Sequence, residues 1–121
     1  MPRAREQLYD RLETEMRREG FLGPDADVLF FSVGGATHIE WDWPLASDPR
    51  GPDRRSRAIR VIITRELSYM LCAADELGYD RLLRAALGAL GRRMQQYAPE
   101  HPDPTYADLG PFEIHLSPVN I

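Results

Sequence analysis

An α+β fold, a mostly antiparallel sheet of about four strands with helices packed on one face, is what this chain predicts. Three observations lead there. The stretches 38–43 and 112–116 alternate polar and apolar residues with period two, as half-buried strands do. Three other stretches repeat apolar residues at helical spacing. Read in order, the elements run α-β-β-β-α-α-β, which places the helices together against a sheet rather than alternating singly with parallel strands.

The first element is a helix from Ala4 to Glu19, where Leu8, Leu12 and Met16 recur every fourth position among Arg and Glu, and Gly20 ends it. The run Val28 to Val33 is β-branched and aromatic, too short for a helix, and stops at Gly34-Gly35. A Gly-Gly pair between two strand-like runs predicts a β-hairpin. Its second arm, His38 to Trp43, ends at Pro44. Residues 44–57, rich in Pro, Gly, Asp, Ser and Arg, read as a long mobile loop. Ile59, Val61 and Ile63 then line one face of a third strand.

Beyond Thr64, a good helix N-cap, the period returns to that of a helix, with Leu67, Met70, Leu71, Ala74 and Leu77 sharing a face and Gly78 as its C-terminal cap. From Asp80 a further helix carries Leu83, Ala86, Leu87, Leu90, Met94 and Tyr97, and Gly88 and Gly91 within it mark close approach to a neighbour. Residues 98–111 hold four prolines and stay irregular. The last strand is Phe112 to Leu116.

At 121 residues the chain has room for a single core, so 1–121 reads as one domain. The 43% hydrophobic and 28% charged composition is that of a folded globule rather than a disordered segment. Cys72 is the sole cysteine, which rules out an intramolecular disulfide and suits a reducing compartment. No stretch is long and apolar enough for a membrane span or a leader, so a cytoplasmic location is expected. All fifteen basic residues are arginine, the codon signature of a GC-rich, bacterial genome.

Alternation places Ile39, Trp41, Trp43, Phe112, Ile114 and Leu116 on inward positions. It leaves His38, Glu40 and Asp42 on the opposite face at a spacing of about 7 Å, with Arg60, Glu113 and His115 on neighbouring strands. Such a face can be an ordinary solvated sheet surface. It is also where a metal site or acid-base pair would form, with His38, Glu40, Asp42 and His115 as the ligands or catalysts. Cys72, beside the apolar stripe of its helix, reads as a packed residue, and His101 as a loop residue.

The net charge of -4 disfavours nonspecific binding to polyanions, yet residues 50–65 hold six arginines against one aspartate. Arg54, Arg55 and Arg57, with Arg60, are the candidate binding residues, since guanidinium groups on a loop suit bidentate recognition of phosphate or carboxylate. No aromatic residue is interleaved with them for base stacking, so nucleic acid ranks last. A phosphate-binding glycine loop, a nucleophile elbow, a dinucleotide fingerprint and an HExxH pair are all absent from the sequence, and no cofactor is expected.

The sequence therefore points first to a noncatalytic protein-binding or adaptor module, with a homo-oligomer as one form of partnership. In its helix-first, sheet-centred layout and acidic balance it resembles the small dimeric chaperones of bacterial type III secretion. No residue motif carries that resemblance, and the two consecutive helices before the last strand depart from it.

Overall fold

The computed structural model describes residues 4–44, 56–97 and 111–121. Their elements are α1 (Arg5–Arg18), β1 (Asp27–Val33), β2 (Ala36–Asp42), β3 (Ile59–Ile63), α2 (Arg65–Ala73), α3 (Glu76–Met94) and β4 (Phe112–Leu116). This is the α+β order that the periodicities predict. The residues read as the 44–57 loop and the 98–111 connection fall almost entirely outside the described ones, as do Arg54, Arg55 and His101.

The four strands lie in the order β1-β2-β3-β4. The pairs β1–β2 and β2–β3 are antiparallel and β3–β4 is parallel. The parallel pair follows from the connection: α2 and α3 carry the chain back across the sheet before β4 begins, which a hairpin turn cannot do.

Register is set at the Gly34-Gly35 turn. Both glycines have positive φ, 58° and 85°, as a two-residue hairpin turn with the strands' own twist requires. Val33 therefore faces Ala36, and the pairs Phe31–His38, Phe30–Ile39 and Leu29–Glu40 follow. Because side chains alternate, Thr37, Ile39 and Trp41 are buried on one side of β2 while His38, Glu40 and Asp42 lie on the other. On β3 and β4 the same side buries Ile59, Val61, Ile63, Ile114 and Leu116. Leu8, Leu12 and Met16 of α1, Leu67 and Leu71 of α2, and Leu83 and Leu90 of α3 complete one core.

One helix boundary differs from the sequence expectation. The stripe read from Leu67 to Leu77 is broken at Ala74, and Gly78 lies inside α3 rather than capping α2. Asp75 is the reason. Its Oδ1 accepts the Gly78 N–H at 2.8 Å, capping a new helix that begins at Glu76. Leu77 consequently points outward and is 62% exposed. Of the two glycines further along α3, Gly91 faces the Phe21 ring, whereas Gly88 has only the flexible Arg92 nearby. Thr64 does cap α2, accepting from the Leu67 N–H at 3.3 Å, and Gly20, at φ 84°, follows the end of α1.

A buried polar link ties helices to hairpin. Arg5 of α1 donates to the Thr37 hydroxyl at 2.6 Å and to the Gly35 carbonyl at 3.1 Å. Thr37 Oγ1 lies 2.9 Å from Ser68 Oγ of α2, and Ser68 in turn donates to the Ile63 carbonyl. Thr37 and Ser68 are both fully buried, so each hydroxyl depends on the other. Thr37→Val is expected to cost about 1–3 kcal/mol, because it removes one of two acceptors of Arg5 and the buried hydroxyl partner of Ser68. Thr37→Val combined with Ser68→Ala is expected to cost less than the sum of the two single changes, which a double-mutant cycle from urea unfolding measures.

Candidate functional site

The helices cover one face of the sheet and leave the other open. Four strands supply that open face in rows fixed by the register. One row runs Leu29, Glu40, Arg60, Glu113, and the next runs Phe31, His38, Ile62, His115. The two rows differ in chemistry.

The first row is an ion-pair line centred on Arg60. Arg60 donates to Glu40 at 2.5 Å and to Glu113 at 3.3 Å, and the other oxygen of Glu113 lies 3.1 Å from His115 Nε2. The hydrogen bond to Glu40 raises the Arg60 pKa above its ordinary value; burial works against this, and attraction to Glu40 and Glu113 reinforces it. A raised folded-state value adds stability that is present below the unfolded value and lost only as pH climbs through the folded one. For an arginine that loss lies in strong alkali, so the contribution of Arg60 is constant through neutral pH.

Of the residues singled out as metal ligands or acid-base groups, His38 and His115 share a row but are separated by Ile62, placing them about two strand spacings, roughly 10 Å, apart. The His38 ring stacks on Phe31, with centroids 5.0 Å apart. Glu40 is held by Arg60. Asp42 pairs with Asp27 in the ladder at the far end of the face. Among the described residues, no three His, Cys, Asp or Glu side chains come together as a metal site.

Arg57 lies elsewhere, at the end of the sheet. Its guanidinium sits 5.5 Å over the Phe112 ring, and its carbonyl accepts from the Tyr97 hydroxyl. Tyr97 meets Trp43 and Phe112 edge-on, at 5.8 and 5.6 Å. Trp41 is fully buried, and Trp43 is half-buried in this aromatic knot. Cys72 is half-buried against the core.

The second half of the open face is apolar. Leu29 and Val33 of β1 are 58% and 56% exposed, with Phe31 half-buried between them, and Ile62 lies two strands away across His38. This patch was missed by periodicity, because β1 is apolar on both faces and alternation alone cannot orient it. A signal existed nonetheless. A two-residue Gly-Gly turn pairs position 33 with 36, and 31 with 38, so the outward placing of His38 already puts Leu29, Phe31 and Val33 outward with it.

The two sheet edges also differ. On β4, the Asn120 side chain donates to the His115 carbonyl at 2.8 Å and accepts from the Ser117 N–H at 2.7 Å, so the tail folds over that edge. On β1, no strand or turn among the described residues pairs with the outer edge.

A concavity of about 540 Å³ lies between α1 and α3, away from the open sheet face. Its walls carry Arg11, Arg18 and Arg84 against Glu15, Glu19 and Asp80. Arg11 spans it, bonding Glu15 at 3.2 Å and Asp80 at 3.0 Å. Burial lowers the Arg11 pKa, but the hydrogen bond to Asp80 and the neighbouring charges outweigh this and raise it. Arg18 also pairs with Glu15, at 3.3 Å, so Arg11, Arg18, Glu15 and Asp80 form one linked set along the groove. No helix among the described residues is long and apolar enough to cross a membrane.

Compared with protein families, with curated proteins and with solved structures, the chain shows no significant match to any.

Both side chains of the Arg60–Glu40 pair are about one-third exposed, at 35% and 31%. Their coupling in an Arg60→Met and Glu40→Gln cycle is therefore expected to stay below about 1 kcal/mol and to shrink in high salt, as read from melts with and without added sodium chloride.

Proposed function

We propose that this chain is a noncatalytic protein-binding module of a bacterial cytoplasm, and that its contact surface is the apolar half of the open sheet face. The observation that carries the reading is the placing of Leu29, Phe31 and Val33 together along β1, on the side of the sheet that no helix among the described residues covers. Water-facing apolar residues are ordinary when scattered. A contiguous group beside a bare strand edge is what a partner protein covers.

Electrostatics point the same way. Glu40, directly across from Leu29, is engaged by Arg60, so the polar row borders the patch as a rim borders an interface core. Acid-base or metal chemistry is less well supported, since it needs convergent groups and His38, Glu40, Asp42 and His115 do not come together among the described residues. Recognition of phosphate through Arg57 competes with that residue's stacking on Phe112. The sole cysteine and wholly arginine basic content support the assignment to a reducing bacterial interior.

Leu29 and Val33 are more than half exposed, so aspartate at both positions leaves the core intact. Affinity capture from bacterial lysate, quantified by mass spectrometry, is expected to show a protein retained stoichiometrically by the wild type and reduced about tenfold or more with Leu29→Asp/Val33→Asp. Equal retention by both, or no stoichiometric partner on the wild type, overturns the reading.

A further inference from the structure

We infer that the bare edge of β1 pairs with the same edge of a second copy of this chain, antiparallel about a two-fold axis at Phe30, so that two four-stranded sheets become one. The inference rests on the protein-binding reading and deepens it by naming one partner.

Backbone geometry selects the edge. In a two-residue hairpin the closing pair, here Val33 and Ala36, is hydrogen-bonded, and bonding alternates from there. Asp27, Leu29, Phe31 and Val33 therefore turn their N–H and C=O groups toward β2. Val28, Phe30 and Ser32 turn theirs outward. Edges that proteins keep solitary are shortened, charged, bulged or covered. β1 spans seven residues, has its only charge at Asp27, shows no bulge in its register and has no cover among the described residues. The opposite edge is folded over by Asn120.

The side-chain pattern selects the second copy. Antiparallel pairing keeps both open faces on the same side only if partners have equal parity. Centring on Phe30 is the register that overlaps the whole strand: Phe30 meets Phe30, Val28 meets Ser32, Leu29 meets Phe31 and Asp27 meets Val33. Every outward-turned backbone group of Val28, Phe30 and Ser32 then finds a partner. Leu29 and Phe31 form apolar cross-strand pairs on either side of the axis, at a Cβ separation of about 4.5–5.5 Å.

Charge agrees with this direction. Asp27 of each copy arrives beside the hairpin tip of the other, where the Arg65 side chain lies against Gly35. Arg65 has no carboxylate partner among the described residues. Parallel pairing of the two copies would instead set acid against acid. The interface is isologous, so it closes at two copies and leaves no edge to propagate. It also joins the two apolar patches into one band across the middle of the combined open face.

A single strand pair falls at the small end of protein interfaces, so the dimer is expected to form at micromolar concentration. Sedimentation equilibrium of the full chain should show a reversible monomer–dimer equilibrium there. Ser32→Pro removes an outward N–H without altering an open-face side chain, which an edge strand tolerates, and it should weaken the dimer about tenfold or more, as should Arg65→Glu. In a Cys72→Ala background, a mixture of Leu29→Cys and Phe31→Cys chains should form disulfide dimers faster than either variant alone. A wild type that stays monomeric overturns the inference, as does a dimer whose mixed-cysteine cross-linking is no faster than that of the single variants. Ser32→Pro also separates the two readings: a monomeric variant that still captures the heterologous partner leaves the patch reading standing, and a dimer that captures no other protein fails the patch reading while leaving this one intact.

Discussion

Everything about this molecule's two faces depends on the Gly34-Gly35 turn. A strand repeats every two residues, so a hairpin out of step by one would put His38, Glu40 and Asp42 into the core and turn Ile39 and Trp41 to water. Glycine at both turn positions accepts the positive φ values that a tight hairpin demands, and the pairing of Val33 with Ala36 follows. That one pair orients β1 and β2 together, and β3 and β4 inherit the orientation through the ladder.

The turn does not hold this register alone. Arg5 reaches from α1 to the Gly35 carbonyl and to Thr37, and Thr37 meets Ser68 of α2. Two helices are thereby fastened to the hairpin by groups that are costly to leave unpaired once buried. Hydrophobic contacts tolerate sliding; a buried hydroxyl pair with an arginine across it does not. Apolar packing supplies the bulk of the stability, while this link supplies direction, telling α1 and α2 where on the sheet to sit.

Much of this fold was legible in the sequence because most elements carry one period each. The β2 and β4 alternations named their buried sides correctly, and the Leu8, Leu12 and Met16 stripe named that of α1. The α2–α3 boundary was misread because Leu77 falls in phase with Leu67 and Leu71, so the stripe continues across a break made by the Asp75 cap rather than by any gap in hydrophobicity. The apolar patch was hidden for a different reason. β1 has apolar residues on both sides, and only combining turn length with the polarity of β2 orients it. The Arg5, Thr37 and Ser68 link joins positions distant in sequence, and no local pattern announces it.

The contrast between the two sheet edges is where structure bears most directly on function. An exposed edge is a hazard, and β4 is managed in the usual ways: Glu113 and His115 are polar, and Asn120 turns the tail back onto its backbone. Had the whole sheet been built to stay solitary, β1 would carry similar devices. It carries Leu29, Phe31 and Val33 on its open side, one charge at its start and an unbroken ladder register. Charges are cheap to place on an exposed strand, and their concentration on one edge with near absence from the other is the contrast on which the proposed contact surface rests. The fold tolerates such an edge because β1 is secured from behind, through β2 and through the Tyr9 contacts with Phe30 and Ser32. Among the described residues, nothing pairs with its outward groups, yet the strand itself is held in place.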